Sequence, residues 1–306
     1  MLFFKKEQKQ NNENGLAVSV PDLIAQQRYL PYLLRHHDFL TSNRAGNVKS
    51  AFKGRGMELE EVRAYNFGDD VRDIDWRITA RKSEPFTKVY AEEKDRVITV
   101  VLDLSASMVF GTRKELKSVT AAKTAALLGW LSIRNKDRFG ILIYDGKNSG
   151  YFKPQGSLKN LMAVFNKIAE TSRRILDKSA EGNLGDALSV LEYHQKGQGT
   201  IFILSDFYHF DNVQFKNIAA LAKNNKVYCI NIFDVLEDIA PPAGDYKASY
   251  NGQEVIFNSA PDKFKQEYQK YFAQNRENIR KNCQKFLCKY LEIRTDIPIF
   301  KQLQLV

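Results

Sequence analysis

Val97-Ile98-Thr99-Val100-Val101-Leu102 is a continuous β-branched and apolar run, and Asp103-Leu104-Ser105-Ala106-Ser107 follows it directly. Such a run suits a strand buried on both faces, as in a parallel sheet covered by helices. The residues downstream extend the pattern. Helix signals run from Arg113 to Asn135, with Ala122, Ala126, Trp130 and Ile133 on one face. Arg138 to Tyr144 is the next strand and Tyr151 to Lys153 an edge strand. Helices are expected at Ser157 to Ser172, Leu184 to His194 and Asn212 to Lys223, with strands at Thr200 to Leu204 and Lys226 to Phe233. Strands alternating with helices predict an α/β fold, a doubly wound and mainly parallel sheet with helices on both faces.

The flanking segments divide the chain further. Residues 1 to 18 are polar and read as a disordered tail. Residues 19 to 95 hold an N-terminal helix and a β-rich segment. Pro21 opens the helix, Leu23, Ile24, Leu30, Leu33 and Leu34 are its apolar members, and Pro31 breaks or bends it. Phe86, Lys88 and Tyr90 alternate against Thr87, Val89 and Ala91 as in an edge strand or hairpin. Residues 96 to 234 make the central domain. Residues 235 to 306 supply a hairpin at Tyr250 to Asn258 around Asn251-Gly252, a long helix from Asp262 to about Lys285 and a strand at Tyr290 to Arg294. This last region is expected to pack on the rest, which makes a smaller β-containing region from the two flanks.

An apolar fraction of 43% and a charged fraction of 27% describe an ordinary globular chain. The net charge of +10 favours acidic partners without choosing among them. Cys229, Cys283 and Cys288 have no paired metal spacing and read as free thiols in a reducing compartment. No apolar run reaches the roughly 18 residues of a spanning helix, and the first residues lack the apolar core of a signal peptide. The expected location is therefore cytoplasmic, with contact at a membrane surface left open. His36 and His37 have no ligand at metal spacing and read as a solvated helix end.

Three loops fall at the carboxyl edge of the expected sheet, where open parallel sheets bind ligands. The first is Asp103 to Ser107, with one carboxylate and two hydroxyls at alternating positions. The second is Ser205-Asp206 and the third Glu181-Gly182-Asn183-Leu184-Gly185-Asp186. Converging oxygens suit a hard divalent cation. Alternatively, Ser105 and Ser107 cap the next segment, in a fold without metal.

Asp103-Leu104-Ser105-Ala106-Ser107 resembles the DxSxS motif of von Willebrand factor A domains, the core of their metal-ion-dependent adhesion site, over roughly Arg96 to Asp234. Upstream, Glu61, Val62, Arg63, Tyr65, Gly68, Asp69, Asp70, Arg72, Ile74, Asp75, Trp76, Ala80 and Arg81 resemble the signature of the bacterial DUF58 family, whose members join this segment to such a domain. The resemblance implies that Ser105 and Ser107 ligate Mg²⁺ or Mn²⁺ directly, that Asp103 and Asp206 act through water, and that an acidic residue of a protein partner completes the shell. It implies a non-enzymatic interaction module and, as partner, a MoxR-type AAA+ ATPase in assembly or chaperoning. Gly182 departs from the pattern, because the adhesion site carries a threonine there. Asn183 is then the candidate auxiliary ligand, and Gly182→Thr is expected to tighten metal binding where the backbone allows it.

Other classes have weaker support in the sequence. Arg63, Arg72 and Arg81 beside Asp69, Asp70 and Asp75 form either an ion-pair network docking this segment onto the central domain or a second recognition surface. Trp76 reads as core. A haloacid-dehalogenase-like phosphatase would need a second aspartate where Ser105 stands, and no nucleophile elbow is present, while a hydrolase built on Asp103 and Asp206 with one metal stays open as an alternative. A nucleic-acid binder would use the basic helix with Lys263, Lys265, Lys270, Arg276, Arg280, Lys281, Lys285 and Lys289, yet Tyr268, Tyr271 and Phe272 recur there at helical spacing and no named motif is present.

Overall fold

The computed structural model describes residues 15–34, 57–92, 96–195, 197–208, 210–250 and 253–303. The chain forms two compact units: Leu40–Asp95, and a larger one assembled from Met1–Phe39 and Arg96–Val306. The larger unit begins with α1 (Val20–Ala25), a 3-10 turn (Gln26–Tyr29) and α2 (Leu30–Leu34). Ser19 caps α1 through a reciprocal bond with Asp22, and Pro21 occupies the first turn, where no N–H is needed. The expected break occurs before Pro31, as the 3-10 turn. Leu23 and Leu30 are buried, whereas Ile24 is exposed. The expected tail ends earlier than residue 18, since Ala17 and Val18 are buried. The Val18 N–H donates to Ser172 Oγ at 3.1 Å, and Trp130 Nε1 donates to the Leu23 carbonyl at 3.1 Å. The His36-His37 pair lies outside the described residues.

In the small unit, β1 (Met57–Ala64) pairs antiparallel with β2 (Phe86–Glu92), with α3 (Trp76–Lys82) between them. The hairpin-like strand was expected; the helix was not. Asp75 starts α3 by accepting the N–H groups of Arg77 and Ile78, and Ser83, at φ 60, ends it. Asp70 likewise caps a 3-10 turn over Val71–Asp73. The acidic residues thus serve as local caps as well as ion-pair partners. Arg63 pairs with Asp69 at 2.8 Å, Arg72 with Asp70 at 2.9 Å and Lys88 with Asp75 at 3.4 Å. Arg81 joins none of these pairs. The expectation for Trp76 is corrected: it is the first residue of α3 and is 67% exposed, and Phe67 and Val71 are exposed as well.

The larger unit is built on a six-stranded sheet of β3 (Val97–Asp103), β4 (Arg138–Tyr144), β5 (Ser149–Gln155), β6 (Thr200–Ser205), β7 (Lys226–Phe233) and β10 (Lys289–Arg294). Their order is β10-β7-β6-β3-β4-β5, and every pairing is parallel except that of the edge strand β5 with β4. Helices α4 (Lys117–Arg134) and α5 (Leu158–Asp177) cover one face together with α1. Helices α6 (Leu184–His194), α7 (Asn212–Ala222) and the end of α8 (Asp262–Lys285) cover the other, where Leu188, Phe215, Ile279 and Cys283 meet Val101, Leu142, Ile203 and Cys229. This is the expected doubly wound α/β architecture.

The C-terminal hairpin joins β8 (Asp245–Tyr250) to β9 (Gln253–Asn258), so its first strand begins before the expected Tyr250; its turn residues are not among those described. Tyr246, Phe257, Phe264, Tyr268 and Phe272 stack successively at centroid spacings of 5.7, 5.3, 5.6 and 5.0 Å. Phe264, Tyr268 and Phe272 of α8 are thereby committed to packing, whereas Tyr271 is exposed. A short helix, α9 (Ile299–Gln302), comes after β10. Cys229, Cys283 and Cys288 are buried free thiols. Among the described residues no helix is long and apolar enough to cross a membrane.

Leu23 tests whether the N-terminal segment belongs to the core. Its side chain is 0% exposed, so Leu23→Ala should lower unfolding stability by about 2–5 kcal/mol. Urea denaturation should show a reduced midpoint with an unchanged slope; an unchanged midpoint would mean that the segment is only loosely attached.

Candidate functional site

β3 and β6 are adjacent parallel strands, with Leu102 opposite Leu204. The chain leaves β3 for β4 on one side and leaves β6 for β7 on the other. Their carboxyl ends therefore form the crevice at which doubly wound sheets bind ligands. Asp103 ends β3, and Ser205 ends β6 with Asp206 next. Ser205 Oγ donates to Asp103 Oδ2 at 2.6 Å, and the Ser105 N–H donates to Asp103 Oδ1 at 3.0 Å. One carboxylate thus ties the two strand ends together and turns the loop that carries the hydroxyls. Asp103 is buried and enters no ion pair among the described residues. Burial raises its pKa to about 6, the charge of Asp206 adds to the rise, and the bonds from Ser205 and Ser105 oppose it.

Ser107 Oγ donates to Asp206 Oδ1 at 3.1 Å and lies 3.5 Å from Ser105 Oγ. With its O–H directed at Asp206, Ser107 has lone pairs left to offer elsewhere. Ser105 precedes the 3-10 turn Ala106–Met108 but makes no side-chain cap to it. The Ser105 side chain therefore does not cap the next segment, and the Ser107 side chain is engaged with Asp206. Asp206 is fixed by the next two residues: Phe207 adopts φ 52 with its ring buried, and the Tyr208 N–H returns to Asp206 Oδ1 at 3.0 Å.

The third loop reaches the first through its backbone, where Ala106 N–H donates to the Ala180 carbonyl at 3.0 Å. Asn183 does not turn toward the hydroxyls. Its Oδ1 caps α6 by accepting the Gly185 N–H at 2.8 Å and also accepts Gln214 Nε2 at 3.1 Å. Gly182 is a packing requirement. A Cβ there would lie 1.8 Å from the Gly146 carbonyl oxygen and 2.0 Å from the Tyr144 hydroxyl. No threonine fits, which corrects the expectation for that substitution.

Two residues that the sequence did not single out complete the site. Lys117, the first residue of α4, is 2% exposed, and its Nζ donates to Asp206 Oδ2 and Glu237 Oε1 at 2.8 Å each. Burial draws the Lys117 pKa down, but Asp206 and Glu237 outweigh it and hold the group above its usual range. Glu237 is delivered by the 3-10 turn Val235–Glu237, whose N-cap Asp234 donates its N–H to Glu237 Oε2 at 2.7 Å. One signal for Lys117 was available: a lysine in the first turn of a helix opposes the helix dipole and calls for nearby acids. His194 stacks on Tyr151 at 4.6 Å, and His209 is outside the described residues.

The donor set fits a hard cation held by hydroxyls. Adjacent oxygen ligands of an octahedral divalent ion lie about 3–3.5 Å apart, close to the spacing of Ser105 and Ser107. Among the described residues no group of three or more His, Cys, Asp or Glu side chains is placed to hold a metal. The carboxylates would therefore act at one remove, behind the hydroxyls. The sequence profile of the family described as "Protein of unknown function DUF58" matches residues 61–278. The chain belongs to the DUF58 family. The match takes in most of the small unit, the six-stranded sheet up to β7 and most of α8.

Among similar sequences, uncharacterized proteins of Mycobacterium tuberculosis and Mycobacterium bovis are each 26% identical over 252 residues, 82% of this chain and 78% of theirs. Among solved structures, BatB from Bacteroides thetaiotaomicron is 15% identical, with a TM-score of 0.37, covering 63% of this chain and 98% of that one. A von Willebrand factor type A protein from Catenulispora acidiphila is 14% identical, with a TM-score of 0.36, covering 68% of this chain and 40% of that one.

Gly182→Thr should overpack the loop against Gly146 and Tyr144 and destabilise the protein by about 1–3 kcal/mol or more. Thermal denaturation checks this; a variant as stable as the parent would mean that residues 180–182 pack differently.

Proposed function

We propose that this DUF58 protein is a non-enzymatic protein–protein interaction module that uses a divalent cation, Mg²⁺ or Mn²⁺, to grip an acidic residue of its partner. The observation that carries the proposal is the buried Asp103 carboxylate, which has no cationic partner among the described residues and stands behind the Ser105 and Ser107 hydroxyls. An uncompensated buried carboxylate is costly, and a cation seated on those hydroxyls would offset its charge. Such a cation supplies a Lewis-acidic position that a partner's carboxylate can occupy.

The chain's own residues prepare that position. Asp103 holds the Ser105 backbone, and Ser205 holds Asp103. Asp206 accepts the Ser107 hydrogen bond, which leaves that oxygen's lone pairs for the ligand. Binding without catalysis is favoured because the Ser107 hydroxyl donates to a carboxylate that is already paired with the Lys117 ammonium. As partner, the DUF58 membership favours a MoxR-type AAA+ ATPase, with this chain as its adaptor in assembly or chaperoning. The basic helix α8 gives nucleic acid little to hold: Arg276 pairs with Asp238, Arg280 with Glu292 and Glu277, and Lys281 with Glu277.

Calorimetric titration with Mn²⁺ should show one site, weakened on the order of tenfold or more by Ser105→Ala. Capture of a purified MoxR-type ATPase should require Mg²⁺ and be lost with EDTA. Absence of metal binding at millimolar concentration, or capture indifferent to EDTA, would sink the proposal.

A further inference from the structure

The candidate site already contains a cation. Lys117 Nζ sits 2.8 Å from Asp206 Oδ2, and neither side chain reaches solvent. Lys117 is rooted in the first turn of α4 and Asp206 in the loop after β6, so the pair is a fixed part of the fold. Of the two aspartates that flank the hydroxyls, Asp206 is therefore neutralised from within and Asp103 is not. Lys117 has a second acceptor, because Glu237 Oε1 is also 2.8 Å from Nζ. Glu237 belongs to neither motif that marked the site in the sequence.

We infer that Lys117 is a tethered competitor of the divalent cation, holding Asp206 when the hydroxyl site is empty and releasing it toward Glu237 when a cation binds. The inference rests on the proposed cation site and concerns its regulation. The physical argument has two parts. A fixed ammonium beside Asp206 repels a second cation at short range in a poorly solvated setting. Glu237 lowers that barrier, because it can keep the ammonium paired if Asp206 turns to the arriving ion, and leaving the buried ammonium unpaired would be strongly destabilising. Lys117 and Glu237 together thus set how readily the site fills. The Arg276 guanidinium donates to the Glu237 carbonyl at 2.6 Å and Tyr268 Oη to the Leu236 carbonyl at 2.6 Å, so a shift of Lys117 toward Glu237 would be felt by α8.

Mn²⁺ titration of the full-length chain, read by calorimetry and by the electron paramagnetic resonance of free Mn²⁺, tests the inference. Lys117→Gln should bind Mn²⁺ on the order of tenfold or more tighter than the parent, since one repelling charge is removed. The double variant Lys117→Gln with Glu237→Gln has the parent's net charge and should still bind tighter. Glu237→Gln alone keeps the lysine, pairs it with Asp206 only, and should bind several-fold more weakly, about the effect of losing one nearby charge; this arm decides the matter should Lys117→Gln not fold. Lys117→Gln no tighter than the parent, a double variant at the parent's affinity, or Glu237→Gln without loss would each overturn the inference. A parent that binds no Mn²⁺ beside a Lys117→Gln variant that does would uphold the tethered competitor and reject cation-assisted binding by the native chain. A parent that binds, with no change in the variants, would do the reverse.

Discussion

Parallel pairing of β3 with β6 is the constraint on which the site depends. The two strands are about a hundred residues apart in the chain, yet their register sets Leu102 beside Leu204 and so brings Asp103 next to Ser205. The 2.6 Å bond between those side chains is possible in that register and in no other. A slip by one residue would turn every side chain of one strand to the opposite face, exposing either Ile201 and Ile203 or Phe202 and Leu204 to the wrong helical layer. Hydrophobic packing therefore specifies the register, and the register assembles the polar cluster. The reversal of strand order at this point places the cluster where doubly wound sheets bind ligands.

The cluster is kept at some cost. Lys117, Asp206 and Glu237 are charged and largely out of solvent, and buried ion pairs are seldom more stabilising than apolar residues of similar volume. Phe207 adds to this by holding a bulky residue in the left-handed region, which costs on the order of 1–3 kcal/mol. In return its backbone bends so that Phe207 N–H reaches Ser205 Oγ at 3.0 Å while Tyr208 N–H reaches Asp206. Ser205 is thus gripped by Phe207 and grips Asp103 in turn. Strain in the loop and charge in the core together fix two carboxylates.

The central sheet could be read in the sequence because each strand has its own local signal. Val97 to Leu102 and Lys226 to Phe233 are apolar runs bounded by polar residues, and the structure ends them within one residue of the expected positions. Local signals failed where partners are remote or weak. α3 contains the β-branched pair Ile78-Thr79, which disguises a helix whose start depends on the Asp75 cap. β8 reads Asp-Tyr-Lys-Ala-Ser-Tyr, a run that its pairing with β9 and not its composition makes extended. Asp103, Ser105, Ser107 and Asp206 were legible as a motif and are brought together. Lys117 and Glu237 were not, since they are 120 residues apart and nothing near either names the other. Gly182 was misread for a related reason: sequence reports the missing hydroxyl, whereas only the folded chain reveals the Gly146 carbonyl that leaves no room for it.

The N-terminal segment has a consequence for the order of events during synthesis. Leu23 leaves the ribosome before its partner Trp130, and Val18 before Ser172, by 107 and 154 residues respectively. The apolar groups of α1 and α2 must therefore wait in water until α4 and α5 exist. Between them the chain makes the small unit, whose strand pairing is local and needs nothing downstream. Closing so long a loop costs only slightly more entropy than closing a short one, so the delay is one of time and not of stability. During that interval Leu23 and Leu30, buried in the folded chain, have no surface to cover them.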